Sequence, residues 1–391
     1  MKADSPIEHK KIGNPRSTFN RVIPRLFVLI FDSHKENNQF ESTRVLVDSS
    51  AMAPNIVRYA KDQPGGFVNR IEKVAIVGAA GTLGKFVTQE LLKGGKHLVT
   101  AITRHNSESK LPEGVVTARI DYDDEHSIVE ALKGQQYLII TLKNTASQDA
   151  QLKLIRAAAK AGVPYVMPNA WGPDPKNDSL MSDTLLGTSF QGALKKIEQL
   201  GMSEWIIMSC GYWYEFSLAG SPDRYGFDIK KRSLTIFDDG NVRMNTSTWG
   251  QCGRGLAYFL GLKWLPEDEN DTSPTIQKWA NDVFYVSSFL VSQHDMFNSV
   301  KRVSGTADSD WKIDYENSKK RWRAGHESMK SGDRSGFSRL MYSRIFFPSA
   351  DGDVENTHGL ANGALGLPEE DLDQATREAI RLCLSGVLDT Y

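Results

Sequence analysis

One stretch limits what this chain can fold into more than any other: Val74-Ala-Ile-Val-Gly78-Ala-Ala-Gly81-Thr82-Leu83-Gly84. An apolar, mostly β-branched run leads into regularly spaced glycines. A helical pattern follows, with Leu83, Phe86, Val87 and Leu91 on one face before Gly94 and Gly95 stop it. Such a loop sets a helix N-terminus beside the carboxyl end of a strand, where free N–H groups and the positive end of the helix dipole hold phosphate charge. Gly78 permits the tight turn, Gly81 lets the backbone approach a pyrophosphate, and Gly84 lets the helix pack close to the strand. Thr82 and Leu83 share the loop and count with the glycines as cofactor-binding candidates. A glycine triplet alone carries little weight, but with a strand before it and a helix after it the pattern becomes a dinucleotide-binding signal.

The rhythm continues. Apolar runs recur at His97–Thr103, Tyr137–Leu142, Tyr165–Met167 and Trp205–Met208, with helical patterns between them closed by Gly162 with Pro164 and by Gly201. Strands this continuously apolar, alternating with helices, predict a doubly wound α/β fold of the Rossmann type, a parallel sheet covered on both faces. Residues 52–210 read as the nucleotide-binding domain. Residues 211–391 are richer in loops and aromatics and read as a smaller substrate-binding lobe on the carboxyl edge of the sheet. That lobe carries a helix near Gln251–Leu260, a strand-like run at Val283–Val286 and a final helix opening at Pro368. Residues 1–51 show no sustained period and read as a poorly ordered extension, with Met52 as the functional start.

The end of the second strand selects the cofactor. An NAD site places an acid there, roughly 20 residues beyond the glycines, to accept the ribose 2′-hydroxyl. Here the strand runs Ala101-Ile102-Thr103-Arg104, and the guanidinium of Arg104 suits a 2′-phosphate in charge and shape, so the prediction is NADP. Asp121 closes the third strand, near where an adenine would lie. Lys143 follows the fourth strand and Asn169 the fifth, and all three join the cofactor-binding candidates.

Charge narrows the partners. Lys and Arg number 47 against 48 Asp and Glu, which leaves no electrostatic footprint for nucleic acid or an anionic membrane. The greasiest run, Leu26 to Phe31, falls far short of the ~18 apolar residues of a membrane helix. The 3 cysteines are scattered and the histidines show no ligand spacing, so neither a disulfide framework nor a metal site is expected, and a reducing, cytoplasmic setting is.

In order along the chain, G-A-A-G-T-L-G, I-T-R, I-D-Y-D-D with A-L-K-G, and P-N-A-W-G resemble the NmrA-like and isoflavone-reductase-like proteins, and the ending L-G-L-P-E-E-D-L resembles their fungal branch. The resemblance runs from about Met52 to the C-terminus. It implies an atypical short-chain reductase that binds NADP(H). Plant members reduce double bonds or ether links in phenylpropanoids, fungal members often serve secondary metabolism, and some members sense the cofactor without chemistry.

One departure bears on mechanism. The plant enzymes use a Lys two helical turns before an A-I-E segment; aligned on Lys196-Ile197-Glu198, that position is Phe190, which transfers no proton. Tyr315 and Lys319 match the short-chain Tyr-x-x-x-Lys pair by letters but lie far from the sheet-building segments, and are set aside. The segment Ser209-Cys210-Gly211-Tyr212-Trp213-Tyr214-Glu215 falls at the carboxyl edge, so Tyr212 and Tyr214 are the candidate proton donors, provided that their pKa values are lowered. Two functions remain. One is an NADP-dependent oxidoreductase acting on a small aromatic or polyketide-like metabolite. The other is a non-catalytic NADP(H) sensor that binds a protein partner.

Overall fold

The computed structural model describes residues 57–143 and 148–387. The extension at 1–51 and the proposed Met52 start lie outside the described residues. The glycine-bearing unit comprises β1 (Lys73–Val77) and α1 (Gly84–Lys93), followed by β2 (Leu98–Arg104), β3 (Val116–Ile120), α2 (Glu125–Leu132), β4 (Tyr137–Ile140), α3 (Gln148–Ala161) and β5 (Tyr165–Met167). Then come α4 (Asp178–Asp183), α5 (Gly187–Leu200) and β6 (Glu204–Ser209). The predicted helices and strands are present, with ends shifted by a few residues.

These strands build a parallel 7-stranded sheet in which β3, β2, β1, β4, β5 and β6 lie side by side, with the strand Asp282–Tyr285 beyond β6. The order reverses between β1 and β4, the switch point where doubly wound sheets open a crevice. Alternate side chains explain why the strands read as continuous apolar runs. Val74 and Ile76 of β1, with Tyr137 and Ile139 of β4, enter one core; Ala75 and Val77, with Leu138 and Ile140, enter the other. Helices α2, α3 and α5 cover the second face, where Ile128, Leu132, Leu154, Ile155 and Ile197 are buried. The first face is covered by α1 and by a helix that follows β6 in the chain, α7 (Trp249–Leu260).

Two expectations require correction. The chain does not divide at 210/211, because the run read as part of a separate lobe is the seventh strand of the main sheet, in register with β6 from Asp282↔Ile206 to Tyr285↔Ser209. From Arg58 onward the described chain forms one compact unit. Pro368 does not open the last helix either; Asp371 caps Leu372–Ser385, its side chain accepting the Gln374 N–H at 2.6 Å. The carbonyl of Pro368 instead accepts the side-chain N–H of Gln251 at 3.0 Å.

Beyond β6 the chain adds Tyr212–Trp213, the short helix α6 (Tyr214–Leu218), and two small sheets. Met244–Ser247 lies between Tyr212–Trp213 and Phe289–Val291 in one, and Ser233–Phe237 between Phe227–Asp228 and Lys312–Glu316 in the other. No described helix is long and apolar enough to cross a membrane.

Candidate active site

The glycine loop has the geometry of a phosphate cradle. Gly78 has φ +81°, and a Cβ there would meet the Thr141 carbonyl oxygen at 2.1 Å, so only glycine fits both the turn and the approach of β4. A Cβ on Gly84 would stand 2.0 Å from the Gly78 carbonyl oxygen, which is how closely α1 rests on the end of β1. The N–H of Gly81 closes the turn by donating to the Gly78 carbonyl at 2.8 Å, and Gly81 itself is exposed. Thr88 ties the loop down through a hydroxyl bond to the Ala79 carbonyl at 3.2 Å. Among the described residues no acceptor takes the N–H groups of Thr82, Leu83 and Gly84. These donors, at the start of a helix and opposite β4, are what a pyrophosphate requires.

Around this loop the strand ends converge. Thr141 bridges the switch point, its hydroxyl donating to the Val77 carbonyl at 2.8 Å. Arg104 is exposed at the last position of β2, with no ion-pair partner among the described residues. Arg119, which local sequence did not single out, holds the turn after it by donating to the carbonyl of His105 at 2.6 Å and that of Ser107 at 3.3 Å. Only the register of β3 on β2, Thr103↔Arg119, brings it there. Asp121 does lie at the end of β3, but its carboxylate accepts the Asp123 N–H at 2.9 Å and shapes the turn into α2. Lys143 is exposed just past β4. Asn169 joins two strand ends, accepting the Leu142 N–H at 3.1 Å and donating to the Leu142 carbonyl at 3.0 Å. Trp171 adds a ring-nitrogen bond to the Ile140 carbonyl at 2.8 Å.

The two candidate proton donors do not face this crevice. Tyr212 is buried, its hydroxyl donates to the Met341 carbonyl at 3.1 Å, and burial, reinforced by Tyr342, holds its pKa well above the ordinary value. Tyr214 is fully buried on the Thr376 hydroxyl at 2.7 Å, and burial raises its pKa too. A phenol that is to protonate an oxyanion needs the opposite shift and an open face. Phe190, where the plant Lys would stand, packs against both cores. Tyr315 is 69% exposed on Lys312–Glu316, the edge strand of a small sheet. Cys210, Cys252 and Cys383 are buried.

An aromatic cluster missed at the sequence level begins on α1. The ring of Phe86, half a turn beyond Gly84, stacks on Trp249 with centroids 5.6 Å apart; Trp249 leads to Phe216 at 6.2 Å, and Phe216 to Trp213 at 5.8 Å. Under it lies Glu215, which accepts the Trp249 N–H at 3.1 Å and whose pKa burial pushes up to about 7.

The family model described as the NmrA-like family matches residues 71–183. Over those residues the chain resembles that family. Oxidoreductase aprR of Aspergillus flavus is 27% identical over 315 residues, covering 79% of this chain and 99% of that protein. A solved structure titled AtPrR2 with NADP+ and (+)pinoresinol superposes with a TM-score of 0.61 at 16% identity, over 80% of this chain and 99% of that one. Structures of pinoresinol-lariciresinol and phenylcoumaran benzylic ether reductases superpose with a TM-score of 0.62 at 19% identity, over 79% of this chain and 99% of theirs. The chain therefore shares the fold of these reductases over about four-fifths of its length.

Proposed function

We propose that this NmrA-like chain is an NADP(H)-dependent oxidoreductase acting on a small aromatic or polyketide-like metabolite, in secondary metabolism and in the cytoplasm, without a nucleic-acid or membrane partner. The observation that carries the reading is the cradle at Gly78, Gly81, Thr82, Leu83 and Gly84, where among the described residues three N–H groups lack acceptors and Arg104, at the neighbouring strand end, lacks an ion-pair partner. The residues present fit the cofactor. The loop would hold the pyrophosphate, Arg104 the 2′-phosphate, and Asp121, Lys143 and Asn169 the edges of the crevice, with Asn169 keeping the ends of β4 and β5 in place. When bound, NADPH supplies a hydride for a carbonyl or activated double bond. The chain's part is to orient the two molecules and exclude water.

Two results test this. Arg104→Asp should weaken NADPH binding about 10–100-fold while leaving NADH nearly unchanged, read by fluorescence titration. Wild-type protein should also oxidise NADPH with some member of a panel of aromatic ketones and enones. Tight binding without turnover would favour the sensor reading, to which Phe190 and the buried Tyr212 and Tyr214 already lend support.

A further inference from the structure

Arg224 is buried, with 7% of the residue exposed, and no carboxylate pairs with it among the described residues. Its Nη1 donates to the Phe216 carbonyl, and its guanidinium carbon lies 3.6 Å from the centroid of the Phe216 ring. Those contacts use one of the five N–H donors that a guanidinium carries. Asp223, next to it in the chain, is already taken, pairing with Arg321 at 3.0 Å and Arg339 at 2.8 Å; Glu215, next to Phe216, accepts the Trp249 backbone N–H. Taking a cation out of water costs several kcal/mol unless an anion or a full set of hydrogen bonds repays it. Burial accordingly lowers the pKa of Arg224.

A second observation lies in the same cluster. Phe216 sits between Trp213 and Trp249, and the ring N–H groups of both tryptophans are buried without an acceptor among the described residues. The wall is thus aromatic, with the Phe216 ring tilted 68° to Trp213 and 50° to Trp249, and it carries spare donors. Through Phe86 it adjoins the helix that follows the glycine loop. We infer that Arg224 is the anion anchor of a substrate site, walled by Trp213, Phe216 and Trp249, that takes a planar aromatic carboxylate. The guanidinium fork matches a carboxylate bidentately, and the rings match the rest of the molecule. The inference rests on the oxidoreductase reading for its function, though not for its binding test.

That test is calorimetric titration of the full chain, without and with NADP+, using cinnamate and its methyl ester. Wild type should bind the acid about tenfold or more tighter than the ester. Arg224→Met should abolish the preference while melting at or above the wild-type temperature, because an unpaired buried cation has been removed. Arg224→Gln, which keeps donors without charge, should lose the preference too. Equal binding of acid and ester by wild type, or a preference surviving in either variant, overturns the proposal. So does a melting point lowered by several degrees in both variants, which would make Arg224 a structural residue. NADPH titration of the same samples keeps the two readings apart. Protein that prefers the acid yet ignores NADPH would refute the cofactor assignment alone, and protein that binds NADPH yet ignores the acid would refute the anchor alone.

Discussion

Glu215 shows how far a single side chain can depart from what its letter suggests. Its folded pKa of about 7 lies above the ordinary 4.5, because burial disfavours the charged form. The folded state therefore holds a proton that the unfolded chain releases. Stability should fall as pH rises from about 4.5 to 7 and stay reduced above that. Glu215→Gln, which keeps an acceptor for the Trp249 N–H, should be more stable than wild type by about 2–3 kcal/mol at pH 8 and nearly equal to it at pH 4.5, as measured by urea unfolding at both pH values. The same contrast separates what was legible from what was not. The glycine loop and the place of Arg104 at the end of β2 could be read because they depend on neighbours within one turn. Tyr212 and Tyr214 were misjudged because their burial is set by Met341 and Thr376, more than a hundred residues away. Arg224 carried no local signal at all; what distinguishes it is burial with no carboxylate partner among the described residues.

At the scale of elements, the ending L-G-L-P-E-E-D-L was legible as a likeness and opaque as a structure. Its Glu370 accepts from the Thr248 hydroxyl at 2.8 Å, from Ser288 and from Arg254, while Thr248 caps α7 by accepting the Gln251 N–H at 2.9 Å. Together with the Gln251 bond to Pro368, this fastens the first turn of α7. Because Trp249 occupies that turn, the clamp also steadies the aromatic wall. Glu370→Ala strands three donors and should cost about 2–3 kcal/mol in chemical denaturation, with acid-dependent quenching of tryptophan fluorescence weakened in parallel. Pro368 suggested a helix start because its fixed φ suits a first turn. The Asp371 cap won that position because its carboxylate satisfies the Gln374 N–H.

For the molecule as a whole, the decisive element is the strand Asp282–Tyr285. Its residues bury on both sides, Phe284 in one core and Val283 with Tyr285 in the other, the same signature that marked β1 as a sheet strand. The run could therefore have been assigned to the main sheet from its apolar continuity; only its neighbour, β6, was beyond reach, since strand order is written in no local pattern. A fragment spanning 58–210 lacks this strand and α7. It should show no cooperative thermal transition and little near-ultraviolet dichroism, whereas a two-domain chain would yield a folded half. Synthesis meets the same constraint. While the ribosome is still making the segment between Ser209 and Asp282, β6 offers a bare row of backbone donors and acceptors, and α1 has an apolar flank without cover. The sheet therefore cannot close until Tyr285 has left the ribosome, well after the glycine loop and the six strands around it have been made.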